Sequence, residues 1–293
     1  MSYIDLHVHS NASDGTLSPA EVAEQAHRAG LSAIALTDHD TVAGVPAAVL
    51  RGRELGVRVI PGVELSCVYE GKEIHILGLF INCQDPSFAN ELKELLSVRL
   101  WRNKEMLRRF QADGFDITKE DLTAGNPDTV ITRAHFARAL AEKGYVSSMK
   151  DAFSSYLQYG SKYCLKKELI TPEHAMKVLT DNHAFPALAH PVQYRLGWEE
   201  TDKLICRLSQ LGLMGLEVYH SSQTPEQSRI LRGIARKYHL LPTGGSDFHG
   251  ANKPDIAIGT GRGGLRLSHL LLEDIEKRLT HPPISSLSHS DAD

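Results

Sequence analysis

Nine residues able to ligate a divalent cation fall at or near the ends of apolar runs in this chain: His7, His9, Asp14, His39, Glu64, His75, His190, Asp247 and His249. His7 and His9 are two apart in an extended stretch that begins Tyr3–Leu6, which puts both imidazoles on one face. Asp14 follows in a loop that Gly15 can turn tightly. Glu64 and His75 are ionisable groups inside apolar, strand-like runs, where an unpaired polar group is costly. The donor set is entirely nitrogen and oxygen, which suits Mn²⁺, Fe²⁺, Mg²⁺ or Zn²⁺ without choosing among them. Nine ligands are too many for one ion, so a multinuclear metal site is expected. Asp38 and Asp40 flank His39 and are expected to orient its ring. Glu217 and His220 end a further apolar run, with no role assigned. His27, His174, His183, His239, His269, His281 and His289 fall in helical or tail segments and are read as ordinary surface histidines.

For these side chains to meet, the elements that carry them must converge. Ser18-Pro19-Ala20-Glu21 reads as a capped helix start, with the helix running to Ala29 and stopping at Gly30. Ser32–Leu36 is a short strand that ends in Thr37-Asp38-His39-Asp40, and a helix follows over Val42–Leu55. Val57–Ile60 and Val63–Val68 read as strand, Tyr69-Glu70-Gly71-Lys72 as a hairpin turn, and Glu73–Ile81 as the returning strand. Strands recur at Phe185–Ala189, Gly215–Tyr219 and Leu240–Thr243, between helices opened by Thr171-Pro172, Glu199 and Thr224-Pro225. This alternation predicts an α/β protein, either a βα-barrel or a doubly wound sheet. In a βα-barrel, residues at the strand ends gather at one mouth.

The alternation breaks from Pro86 to Lys167, where Leu92, Leu95, Leu96 and Leu100 recur at helical spacing. An inserted all-α cap over residues 86–167 is therefore expected, with residues 1–85 and 168–293 forming the βα body. Arg102, Lys104, Arg108 and Arg109, and Lys162, Lys166 and Lys167, are read as solvated faces of that insert. The Ser-rich tail after Pro282 is expected to be disordered.

The chain carries 36 acidic and 32 basic residues, a net charge of −4 over 293 residues. This balance argues against a broad electrostatic nucleic-acid surface but allows a small basic pocket. Cys67, Cys83, Cys164 and Cys206 are scattered, with no Cys-x-x-Cys, which points to a reducing compartment and no thiolate zinc site. No signal peptide and no apolar run of membrane-spanning length is read, so a cytoplasmic protein is expected.

Several stretches together resemble a known set of motifs. They are Asp5-Leu6-His7-Val8-His9 with Ser13-Asp14-Gly15, Thr37-Asp38-His39-Asp40, Pro61-Gly62-Val63-Glu64, Glu73-Ile74-His75, Ala189-His190-Pro191 and Gly245-Ser246-Asp247-Phe248-His249. Over the whole chain they look like the PHP (polymerase and histidinol phosphatase) superfamily. Within the insert, Thr132-Arg133-Ala134-His135-Phe136-Ala137 is similar to one branch. That branch is the nucleoside 3′,5′-bisphosphate phosphatases, which overlap with bacterial PHP-type 5′→3′ exoribonucleases. The resemblance implies a distorted seven-stranded (β/α)₇ barrel with a trinuclear centre. Three divalent metals per chain would be bound, Mn²⁺ first and Fe²⁺, Zn²⁺ or Mg²⁺ as alternatives. It further implies His7, His9, Glu64 and Asp247 around one metal. Glu64, His75 and His190 would surround a second, with Glu64 bridging, and Asp14, His39 and His249 a third. Every one of these positions is filled, whereas Glu217 and His220 lie outside the pattern.

Such a centre fits metal-dependent phosphoester hydrolysis. Clustered metals acidify a water, bind phosphoryl oxygens and neutralise charge, so no protein nucleophile is required, and no P-loop is present. The expected reaction removes the 3′-phosphate of nucleoside 3′,5′-bisphosphates (pAp to AMP), degrades short 5′-phosphorylated RNA from its 5′ end, or both. The second phosphate needs cations, for which Arg133 and Arg195 are the candidates. His135 of the same motif joins them as a substrate-binding residue, and Lys162 is a further candidate. The partners expected are a small nucleotide or short single-stranded RNA, not duplex nucleic acid and not a membrane. The oligomeric state stays open. Two readings compete: a histidinol-phosphate phosphatase, and a non-catalytic PHP module of a polymerase, against which the complete ligand set speaks.

Overall fold

The computed structural model describes residues 2–158, 160–164 and 170–280. The chain opens with β1 (Tyr3–Val8), α1 (Pro19–Arg28), β2 (Leu31–Leu36) and α2 (Val45–Leu55). Ser18 caps α1 in the expected reciprocal box: its hydroxyl accepts the Glu21 N–H and the Glu21 carboxylate accepts the Ser18 N–H.

The next strand departs from the two-piece reading. β3 (Arg58–Tyr69) runs unbroken through Pro61-Gly62. Its first half pairs parallel with β2, ending at Leu36↔Pro61. Its second half pairs antiparallel with β4 (Lys72–Leu79), from Gly62↔Leu79 to Tyr69↔Lys72. The partner changes at a proline, which has no N–H to give a ladder. β4 also runs against β5 (Phe185–Leu188). His75 therefore stands in the first half of a reversed strand, not at the end of a βα strand.

Helices α3 (Pro86–Ala112), α4 (Lys119–Thr123), α5 (Arg133–Glu142) and α6 (Met149–Ser155) follow β4. They enclose an apolar cluster of their own that includes Met106, Phe110, Phe136 and Leu140. Burying each such side chain contributes about 1.5–3 kcal/mol. Arg102 is buried, 2% exposed, contrary to the reading of a solvated face, while Lys104 and Arg108 are exposed. The βα alternation then returns with α7 (Pro172–Asp181), β5, α8 (Trp198–Gln210), β6 (Gly215–His220), α9 (Pro225–Lys237) and β7 (Leu241–Gly245). A two-residue strand β8 (Leu267–Ser268) and α10 (Leu270–Thr280) complete the described fold. Lys166, Lys167, His281, His289, the boundary at 167/168 and the Ser-rich tail lie outside the described residues.

The strands form one mixed sheet in the order β7-β6-β5-β4-β3-β2-β1-β8, curled into a nearly closed barrel. The distorted barrel is as expected, with the short β8 added antiparallel to β1. The two ends meet where the His9 N–H donates to the Phe248 carbonyl (3.0 Å) and the Asp247 N–H to the His7 carbonyl (2.9 Å). Gly245 makes this approach feasible, since a Cβ there would sit 2.2 Å from the His7 Cβ. Ile4, Leu6, Ala33, Ile60, Leu77 and Phe185 from the strands pack with Leu272 and Ile275 of α10. No helix among the described residues is long and apolar enough to cross a membrane.

Candidate metal centre

The loop after β1 is shaped by Asp38. Its carboxylate accepts the Ser10 and Ser13 hydroxyls at 2.6 Å each and the Ser10 N–H at 2.8 Å, which presents Asp14 to the mouth. Asp40 accepts the Ser66 N–H at 2.9 Å and pairs with Arg99. The expectation that these two carboxylates orient His39 is thus corrected: each is used by the backbone and side chains around it. Asp40, His190 and Asp247 have positive φ of 54°, 24° and 60°. Such conformations cost about 1–3 kcal/mol each and cluster where function demands a fixed geometry.

Glu64 stands at the middle of the site. One of its oxygens lies 3.0 Å from His75 Nδ1 and 2.9 Å from His190 Nε2. The other lies 3.4, 3.3 and 3.2 Å from His7 Nε2, His9 Nε2 and His39 Nδ1. Burial alone would raise the Glu64 carboxyl, yet His75, His39 and His7 hold it well below the usual carboxylate range, so it is a permanent anion. Asp14 lies 3.2 Å from His249 Nε2, 3.7 Å from His39 Nε2 and 3.8 Å from His9 Nδ1. Asp247 Oδ1 lies 3.3 Å from His249 Nδ1, 3.6 Å from His9 Nε2 and 3.8 Å from His7 Nε2. All nine sequence-derived candidates are therefore brought together. Among the described residues, the sets close enough to hold an ion are His9/Asp14/His39/His249, His7/Glu64/His190, His7/His9/Asp247, His39/Glu64/His75 and His7/Glu217/His220.

These residues fit divalent metals by their own chemistry. His9 Nδ1, His39 Nδ1, His190 Nδ1 and His220 Nε2 are buried with no hydrogen-bond partner. His7 Nε2 and His9 Nε2 face each other at 3.0 Å. Burial, reinforced by His249, keeps His9 well below the ordinary imidazole range, and burial takes His190 down to about 4. Both rings are thus neutral, the form that ligates. His75 differs: burial is outweighed by Glu64 and Glu73, which hold it at about 10. A cation on its Nδ1 side would replace that second proton.

Glu217, left without a role by the sequence, sits 3.0 Å from His7 Nδ1 and accepts the His190 N–H at 2.7 Å. It fixes the ring nitrogen of His7 that faces away from Glu64. His220 lies 3.3 Å from Asp247 Oδ2 and turns its other nitrogen to the Ser222 hydroxyl at 2.7 Å. Lys253 Nζ is 2.6 Å from the same Asp247 oxygen.

A cavity of about 480 Å³ opens on the cluster, lined by seven of the nine candidates (all but His7 and His9) and by Arg133, Ala134, Met149, Lys150 and Phe153 of α5 and α6. The segment before α5 is tied to the Asp14 loop. The Val130 N–H donates to the Ala12 carbonyl at 2.9 Å, the Asn126 amide to the Asn11 carbonyl at 2.7 Å, and the Thr132 hydroxyl to Asp14 at 2.9 Å.

The PHP domain family model matches residues 5–208. The chain belongs to the PHP domain family. It is 35% identical over 245 residues to a 5′-3′ exoribonuclease of Haemophilus influenzae, covering 84% of this chain and 89% of that one. It is 30% identical over 286 residues to a 3′,5′-nucleoside bisphosphate phosphatase of Chromobacterium violaceum, covering 96% and 99%. The crystal structure of a proposed metal-dependent phosphoesterase from Bifidobacterium adolescentis superposes with a TM-score of 0.82 at 31% identity, covering 94% and 96%. Like these PHP relatives, the chain is a phosphoester hydrolase, and its His, Asp and Glu clusters suit divalent metals.

The substrate-binding candidates of this PHP chain separate. Arg133 lines the cavity and pairs with Glu73 at 2.9 Å. His135 is buried behind it: its Nδ1 accepts the Thr132 N–H at 2.9 Å in the capping box of α5, and it is absent from the cavity lining. Burial takes it down to about 4, and it is linked to Asp14 through Thr132, whose N–H it accepts and whose hydroxyl donates to Asp14. Arg195, which follows the turn Pro191–Tyr194 and itself adopts a left-handed conformation (φ 52°), is exposed and outside the lining. Lys162 is likewise outside the lining, paired with Asp113. Glu73, Arg99 and Lys253 line the cavity without having been singled out. Glu73 had a signal, being two residues from His75 on one strand face. Lys253 had none, since the turn Gly250–Asn252 brings it back to Asp247.

Proposed function

We propose that this PHP protein removes the 3′-phosphate from nucleoside 3′,5′-bisphosphates and shortens 5′-phosphorylated RNA from its 5′ end, using three divalent metals, Mn²⁺ first. The observation that carries the reading is one cavity of about 480 Å³ that joins nearly all of the ligand cluster to Arg133, Lys150 and an apolar wall of Ala134, Met149 and Phe153. His7, His9, Glu64 and Asp247 would hold one metal, Glu64, His75 and His190 a second, and Asp14, His39 and His249 the third. Bound there, the metals would acidify the attacking water and neutralise charge on the phosphoryl group. Glu64 contributes the negative charge that lets cations sit close together. Arg133, in the cavity wall beside Glu73, is the cation that would meet the phosphate that is not cleaved. The apolar wall suits a base or ribose. Helices α3 to α6 would act as a cap that favours a mononucleotide or a single strand over a duplex. The four free cysteines fit a reducing cytoplasm.

The test is phosphate release from a nucleoside 3′,5′-bisphosphate and shortening of 5′-phosphorylated oligoribonucleotides, assayed beside histidinol phosphate. Turnover of the nucleotide substrates is expected to dominate, and faster turnover of histidinol phosphate overturns the reading. The protein is also expected to carry more than one divalent metal per chain. Elemental analysis at one equivalent or less, after supplementation with Mn²⁺, Fe²⁺ and Zn²⁺, contradicts this.

A further inference from the structure

We propose that Glu73 is the positioning residue of His75, and that Arg133 holds Glu73 in place, so that α5 and the metal cluster are joined through one buried carboxylate. The inference rests on the reading of the cluster as a metal centre.

Glu73 and His75 are two apart in β4 and share a face, with the buried Ile74 between them anchoring the strand to the core. The two nitrogens of His75 are divided. Nδ1 faces the cluster, 3.0 Å from Glu64, and Nε2 faces Glu73 Oε1 at 3.3 Å. The second Glu73 oxygen lies 2.9 Å from Arg133 Nη2. A carboxylate behind a ligating imidazole sets its tautomer, fixes its ring and raises its basicity. The charge of Arg133 in turn offsets the cost of burying that carboxylate. His75 has most to gain from such a hold: its side chain is 17% exposed, against 11% for His39 and 6% for His190, so packing confines it least. Glu217 makes the equivalent contact to His7 at 3.0 Å, which shows the same arrangement built twice around the cluster.

The experiment strips the full-length protein of metal and titrates it with Mn²⁺, counting free Mn²⁺ by electron paramagnetic resonance. Glu73→Ala is expected to weaken one binding step by about 10- to 100-fold. Glu73→Gln should lose about 10-fold, the lower end of that range, because an amide still accepts the His75 proton but lacks the charge. Arg133→Ala should weaken the same step by less than Glu73→Ala does. A merely structural role would instead lower the melting temperature of the metal-free variants and leave the Mn²⁺ isotherm unchanged. Wild-type isotherms for the Glu73 variants overturn the proposal, and Glu73→Gln alone decides if Glu73→Ala does not fold. The titration uses no substrate, so failure of the nucleotide reading would appear separately, as a loaded wild-type enzyme that does not turn over the bisphosphate.

Discussion

Glu64→Gln is expected to lower kcat by about 10²- to 10³-fold while leaving the fold intact. The amide has the shape of the carboxylate, so the packing of β3 is kept. The charge is lost from a buried position that faces five imidazoles within 3.4 Å. Removing one group that stabilises charge in the transition state costs about 2.7–4 kcal/mol, and each 1.36 kcal/mol is about tenfold in rate. If Glu64 is shared between two metals, the loss falls on both, because a neutral amide offsets their repulsion poorly. His220→Ala supplies the contrast. His220 lies at the edge of the cluster, 3.3 Å from Asp247 Oδ2, an oxygen that Lys253 also contacts at 2.6 Å. Its loss should cost about 10-fold, the lower end for a residue that acts through a ligand. The measurement is kcat and bound metal for both variants. Comparable losses in the two would contradict the bridging role of Glu64.

Arg133→Ala is expected to lower kcat/KM for a nucleoside 3′,5′-bisphosphate by about 10- to 150-fold more than for a generic phosphate monoester. The magnitude is that of a hydrogen bond to a charged group, about 1.5–3 kcal/mol. The comparison between substrates is essential because Arg133 also holds Glu73 at 2.9 Å. Whatever the variant loses through Glu73 and His75 is common to both substrates and cancels in the ratio. What remains is the contact to the phosphate that is not cleaved. Arg195→Ala should leave both substrates unchanged, since Arg195 is exposed and outside the cavity lining. Equal proportional losses on the two substrates for Arg133→Ala would show that this arginine does not read the second phosphate.

The ligand cluster was legible in the amino-acid sequence because its signal is local. A His-x-His on a strand, a carboxylate in an apolar run and a His-Pro after a strand each declare an ionisable group where a core would not accept one unpaired. The capping box at Ser18 and the helical spacing of the insert are equally short-range and were read correctly as local structure. Other features depend on contacts between residues far apart in the chain. The hairpin that reverses β4 was read from Tyr69–Lys72, but that β3 runs on through Pro61 and there exchanges β2 for β4 is announced by no periodicity. Arg102 carries the same side chain as a solvated helix residue, and only the packing of the insert buries it. Arg133 and Arg195 looked equivalent as phosphate contacts, yet the start of α5 puts Arg133 in the cavity wall while Arg195, past the turn after β5, is exposed outside it. Asp38 and Asp40 sit beside His39 in sequence but are claimed by Ser10, Ser13, Ser66 and Arg99 once the loops close. Residue type and spacing thus determined which groups could do chemistry. Register, turn direction and the competition for hydrogen-bond partners decided which of them meet, because those depend on the whole barrel closing on itself.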